Sequence, residues 1–229
     1  MSAKAAFILS SGAIASAKKK TAHAAEQNRS DVKKRREAWQ RAQPWIDPDR
    51  LVFLDGEPAN AMGPREQANG FTTKMTRLYG RCPIGERLVS PVPHGHWKTL
   101  TFIAALRADG IDAPWVIDGP MDGAAFLTYL RHCLAPTLSP GDIVIMDNLP
   151  AHKVSGVRDI LEKAGAQLCY LPPYSPDLNP IENAFAKLKT LIRSAAERTI
   201  DGLQNSIGKA LDNFSKTECA NYFKHAGYA

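Results

Sequence analysis

A chain of 229 residues, 44% hydrophobic and 23% charged, holds one substantial domain with its own core plus a small appendage. No apolar run approaches the roughly 20 residues that span a bilayer. The opening MSAKAAFILSSGAIASAKKK has a brief, serine-broken apolar part with lysines after it, so it reads as neither a membrane span nor a secretory signal.

Cys82, Cys133, Cys169 and Cys219 are scattered and form no Cys-x-x-Cys pair. Cys133 and Cys169 lie in apolar segments and read as small buried hydrophobes, which points away from zinc and disulfide scaffolds and toward a reducing cytoplasm. The net charge of +6 is uneven. Residues 1–50 carry 11 Lys+Arg against 5 Asp+Glu, whereas residues 51–229 carry 18 of each. A basic arm on a neutral body fits a polyanion partner held in a salt-dependent way, or else a solvated helix face.

Along the chain, residues 1–17 have no strong period. Ser30 to Gln43 reads as a polar, basic helix capped by Ser30 or Asp31, ended by Trp45-Ile46-Asp47-Pro48. Leu51-Val52-Phe53-Leu54 is a short apolar strand ending on Asp55. A stretch marked by glycine and proline then runs from Gly56 through Phe71, and an ordered pattern resumes near Thr72. That stretch is either an inserted surface loop or a local disturbance able to displace Asp55. Arg87–Val92 and Lys98–Ala108 read as successive strands, with His94-Gly95-His96 between them as turn residues rather than metal ligands. Ala113–Asp118 is a further strand and Asp122–Leu138 an amphipathic helix. Asp118 is a rival strand-end acid, ranked lower because Gly119-Pro120 makes it a turn residue.

Ile143-Val144-Ile145-Met146 has no polar face, so it reads as a strand buried on both sides, and it too ends on an aspartate, Asp147. Residues 153–164 supply a helix before the next apolar run, Leu168–Leu171, and that order implies parallel neighbours. A proline-rich loop then delivers Asn179-Pro180-Ile181-Glu182 into a helical pattern, with 34 residues between Asp147 and Glu182. Locally, Asn179 as N-cap, Pro180 at the first position and Glu182 at the third make a capping box. Two strand-end aspartates and a helix-borne glutamate are also the parts needed for a pair of hard divalent cations. Further on, Ile181, Phe185, Leu188 and Ile192 form an apolar stripe, with Glu182, Lys189 and Arg193 on a neighbouring face. Two more helices, near 199–214 and 216–225, need burial for Phe214, Tyr222 and Phe223.

The segments YLPPYSPDLNPIENAFAKLK, VIMDN followed by His152-Lys153, and HGHWKTLTFIAALRADG resemble the catalytic domain of bacterial insertion-sequence transposases related to mariner. Those enzymes belong to the DDE superfamily. The resemblance runs from about Lys18 to Ala229. It implies an α/β, ribonuclease-H-like mixed sheet flanked by helices, with a basic N-terminal arm (residues 1–50) and a catalytic domain with a helical C-terminal tail (51–229). A helix-turn-helix domain that the family carries upstream is missing from the arm, and Gly56 stands where the family usually has a glutamate.

By the same resemblance, Asp55, Asp147 and Glu182 are the catalytic, metal-holding acids for two Mg²⁺ or Mn²⁺ ions. His152, Lys153, Tyr174, Lys189 and Arg193 are the expected nucleic-acid contacts, His152 orienting a phosphate or a water. The implied activity is metal-dependent DNA cleavage and strand transfer, in the cytoplasm and on the nucleoid. Expected partners are the DNA of element ends and target, a second copy of the chain, and an upstream helix-turn-helix product of the same element. Two alternatives stand beside it, an inactive remnant that only binds DNA or that partner, and a stand-alone nuclease of the same fold.

Overall fold

The computed structural model describes residues 25–57, 70–77, 80–89, 94, 98–119, 121–148 and 150–228. Its helices are α1 (Ser30–Ala42), α2 (Gly123–Tyr129), α3 (Val157–Lys163), α4 (Ile181–Ala195), α5 (Ile200–Leu211) and α6 (Lys216–His225). Its strands are β1 (Leu51–Glu57), β2 (Phe71–Thr72), β3 (Thr99–Arg107), β4 (Gly110–Asp118), β5 (Ile143–Met146) and β6 (Gln167–Tyr170). They form one mixed sheet. β4, β3 and β1 are antiparallel neighbours, and β1, β5 and β6 are parallel ones. This is a mixed α/β sheet flanked by helices, as expected.

The alternation of side chains decides what each face buries. Leu51 and Phe53 of β1 and Ile145 of β5 pack with α4, α5 and α6. Val52, Leu54, Val144 and Met146 pack on the opposite side with α2 and α3. Leu51 to Leu54 are all fully buried, which is why this strand carries no polar residue before Asp55. Burial of each such side chain contributes about 1.5–3 kcal/mol. The predicted stripe of α4 (Ile181, Phe185, Leu188, Ile192) is buried as a unit. Phe223 is buried against Phe53, while Phe214 and Tyr222 are partly buried beside the same core.

Several local expectations change. α1 has Arg29 at its N-cap and no side-chain cap, and Asp31 pairs with the Arg29 guanidinium at 3.0 Å. Residues 86–89 are irregular and exposed, not strand, and residues 90–92 lie outside the described set. His94 is exposed, and His96 lies outside the described residues. The connection after β5 is a 3-10 turn (Pro150–Lys153) followed by the shorter helix α3. β4 begins three residues earlier than expected, and Ala113 takes a left-handed backbone (φ 48°) in it. α4 begins at Ile181 behind Pro180, with no side-chain cap, so the predicted cap by Asn179 does not form.

One register explains the stretch after Asp55. Glu57 pairs with Phe102 and Phe71 pairs with Leu100, both antiparallel to β3. β4 already fills the other edge of β3 at Leu100, so β2 shares an edge with β1. β2 therefore resumes the line of β1 only two β3 positions further on, and Asp55 keeps its place opposite Ala104. β1 keeps its register on β3 through Glu57, and the chain returns to the same edge at Phe71.

The basic segment packs onto the body. Arg36 donates to both carboxylate oxygens of Asp177, at 2.8 and 2.6 Å, and to Ser175 Oγ at 2.7 Å. Gln27 donates to the Tyr174 carbonyl, Trp39 Nε1 to Tyr228 Oη, and Gln43 to the Ala226 carbonyl. No helix among the described residues is long and apolar enough to cross a membrane.

Candidate active site

β1 and β5 are parallel and paired Leu54 to Met146, so Asp55 and Asp147 are the next positions on two adjacent strands. Period-two alternation turns Asp55 toward the side covered by α4, the side of Phe53, while Asp147 follows directly after the end of β5. Asp147 and Glu182 line one hollow of about 400 Å³, together with Asn148, Tyr174, Ser175 and Asn179. Asp55 is nearly buried (9% exposed). Its Oδ1 accepts from the Gly56 N–H at 2.7 Å, and its Oδ2 accepts a long bond from Asn179 Nδ2 at 3.4 Å. The three acids thus come from one end of the sheet and the first turn of the helix above it.

Asp147 is held from behind. His152 Nδ1 lies 2.6 Å from Asp147 Oδ1, and since a carboxylate only accepts, Nδ1 carries the proton. The imidazole is 4% exposed and packs on Phe126 with ring centres 5.0 Å apart, while Tyr170 Oη donates to the His152 carbonyl. His152 therefore faces Asp147 and the core rather than solvent. Lys153 is exposed, with Nζ 5.6 Å above the Tyr170 ring.

Water reaches the Glu182 carboxyl, yet protein atoms crowd it, and this desolvation raises its pKa above the ordinary value. The nearby Lys189 pulls it back, and the Asp147 charge raises it again. Tyr174 holds a left-handed backbone (φ 55°) in the loop that forms the outer wall of the hollow, and it is 46% exposed. Lys189 and Arg193 are half-buried further along α4. Asp118, the rival acid, lines a different hollow with Thr73, Lys98 and Arg198.

Asp147 and Glu182 offer anionic oxygens to one hollow, the donor type a hard cation takes, with Asp55 nearly buried at the same end of the sheet. Among the described residues no three His, Cys, Asp or Glu side chains are drawn together closely enough to hold an ion. Asn179 adds a further oxygen. Its side chain is 3% exposed, it lines the same hollow, and no protein atom bonds its Oδ1. The sequence reading missed this residue because Asn before Pro at a helix start is a cap signal. Arg36 and Asp177, which fasten the loop beside the hollow, had no sequence signal at all.

Residues 68–204, more than half of the chain, match the family described as DDE superfamily endonuclease, and the chain belongs to that family. Asp147 and Glu182 fall inside the match and Asp55 before it. Among curated protein sequences none matches. The fold is that of the Mos1 transposase structures. The Mos1 paired-end complex with left transposon end superposes with a TM-score of 0.66 at 16% identity, covering 93% of this chain and 64% of that one. The Mos1 strand transfer complex gives 0.67 at 15% identity, with the same coverage. The mariner Mos1 paired end complex with Mg gives 0.67 at 15% identity, over 91% of this chain and 63% of that one. The chain thus spans a little under two thirds of the length of these neighbours, and at this identity the likeness establishes the ribonuclease-H-like fold.

Proposed function

We propose that this chain is the catalytic part of a mariner-related insertion-sequence transposase, cutting DNA at element ends and joining the freed end to a target. The observation that carries this reading is the parallel pairing of β1 with β5, which sets Asp55 beside Asp147 on the face where α4 presents Glu182. Membership of the DDE endonuclease family and the likeness to Mos1 assemblies with DNA support it.

Asp55, Asp147 and Glu182 would hold two divalent cations, Mg²⁺ or Mn²⁺. Bound there, the ions supply Lewis-acid charge at the attacking and leaving oxygens. In the first reaction a water oxygen bonds to phosphorus and the 3′-oxygen of the element end leaves. In the second that 3′-hydroxyl attacks a target phosphodiester, and one bond forms as another breaks. His152 orients the Asp147 carboxylate through its Oδ1. Lys189 and Arg193, one turn apart on α4, offer charge to phosphates leading away from Glu182, and Tyr174 shapes the outer wall. Lys153 and the exposed cations of α1 extend the phosphate-binding surface. A second copy of the chain and an upstream helix-turn-helix product are the protein partners of this reading, and the nucleoid is its place of action.

The open spacing of the acids favours one rival, an inactive remnant that binds DNA without cutting it. The test is Mn²⁺- or Mg²⁺-dependent nicking of a duplex carrying the element ends, beside Asp147→Asn. Metal-dependent nicking lost in the variant supports the enzyme. DNA binding with no nicking, even with the upstream product added, supports the remnant. Nicking without any joined target product reduces the reading to a nuclease.

A further inference from the structure

Asn179 stands where a helix cap belongs and does not cap. α4 starts behind Pro180, and the first backbone bond at its entrance runs from Glu182 N–H to the Asn179 carbonyl, not to its side chain. The side chain is instead turned inward, 3% exposed, where it lines the hollow with Asp147 and Glu182. Its amide nitrogen points to Asp55 Oδ2. The opposite amide orientation would set an oxygen against a carboxylate oxygen, so Oδ1 is the atom left over. That Oδ1 is one of only two buried side-chain oxygen or nitrogen atoms without a partner among the described residues. The other, Tyr129 Oη, sits in the core on the far side of the sheet. Buried polar atoms find partners as a rule, so an orphan on a side chain that lines the hollow of Asp147 and Glu182 marks a ligand position.

We infer that Asn179 is a fourth oxygen group of the metal site, a neutral donor through Oδ1 to the cation on the Asp55 side, while its amide N–H holds Asp55 in place. A neutral amide oxygen adds a hard ligand without adding negative charge to the hollow that Asp147 and Glu182 already line. The inference rests on the acids being metal ligands, and its test separates the two claims.

Mn²⁺ binding is measured by calorimetry on the full chain without DNA, and Mn²⁺-induced gain in thermal midpoint is measured alongside. The proteins are the unchanged chain, Asn179→Ala, Asn179→Ser, Asn179→Asp and Asp147→Asn. Asn179→Ala is expected to weaken Mn²⁺ binding about 10–100-fold, the range seen when groups ordering a metal site are removed. Asn179→Asp keeps the oxygen and adds charge next to Asp55. It is expected to melt earlier than the unchanged chain without metal and to gain more from Mn²⁺. Added charge alone also favours a cation, so where Asn179→Ala does not fold the decision rests on Asn179→Ser, which keeps a polar side chain too short to bond the ion and is expected to lose Mn²⁺ affinity as Asn179→Ala does. Mn²⁺ affinity of folded Asn179→Ala within twofold of the unchanged chain, with Asp147→Asn binding lost, overturns the inference and leaves the acids standing. No Mn²⁺ binding by the unchanged chain overturns both.

Discussion

Asp55 and Asp147 sit side by side on parallel strands, yet the chain treats them differently. β5 stops at Met146, and Asp147 opens a turn whose His152 comes back to grip its carboxylate. β1 runs on past Asp55 to Glu57 and is then interrupted before its line resumes at β2. One acid is held by a buried imidazole, the other by its neighbour's backbone N–H and by an amide from across the site. The family match divides them in the same way, covering Asp147 and not Asp55. Equivalent positions in a sheet can therefore be secured by unrelated means, and the irregular half of this site depends on strand register more than on local side chains.

The largest expected effect comes from attacking the regular half. His152→Ala frees Asp147 Oδ1 and opens space against Phe126. It should raise the Mn²⁺ concentration for half-maximal nicking by roughly 10–100-fold. A thermal midpoint lowered with unchanged metal demand would mean that His152 only fills the core.

The irregular half is expected to give a smaller response. Residues 58–70 replaced by a single residue should yield a continuous strand from Leu51 through Thr72, because Glu57 and Phe71 oppose β3 positions only two apart. Loop length changes stability by only about 0.6 kcal/mol per doubling. The shortened chain should therefore unfold within about 2 kcal/mol of the original and keep its Mn²⁺ affinity. Loss of cooperative unfolding in a denaturant titration would sink the continuous-strand account.

The smallest effect tests the charge the two halves share. Glu182 has its folded pKa raised above the ordinary value of 4.5, so its ionised form opposes folding once the pH exceeds that value. Glu182→Gln should raise the metal-free thermal midpoint at pH 7. The gain should be under about 1 kcal/mol, as for solvent-screened groups, and should vanish below about pH 4.5. A variant less stable than the original at pH 7 would show that Glu182 serves the apo fold.

Much of this was legible because it is local. A run such as Ile143 to Met146 has too few residues for a helix and no polar face, so burial in a sheet is its only stable use. The stripe from Ile181 to Ile192 repeats every three or four residues, and only a helix lays such residues on one face. The resemblance to a transposase family rested on motifs long enough to carry position as well as type. The failures were also physical. Asn179 met every local requirement of a cap, and Arg87–Val92 looked apolar enough for a strand until its described part proved exposed.

The sequence by itself determined the buried strands β1 and β5, the apolar stripe of α4 and the family, and it singled out three acids as candidates, because periodicity and motif are written in neighbouring residues. Only the tertiary structure decided that the stretch after Asp55 leaves its strand intact, that Arg36 fastens the loop beside the hollow through Asp177, and that Asn179 turns toward Asp55. Those outcomes depend on pairings across 29, 141 and 124 residues, and no local propensity reaches that far.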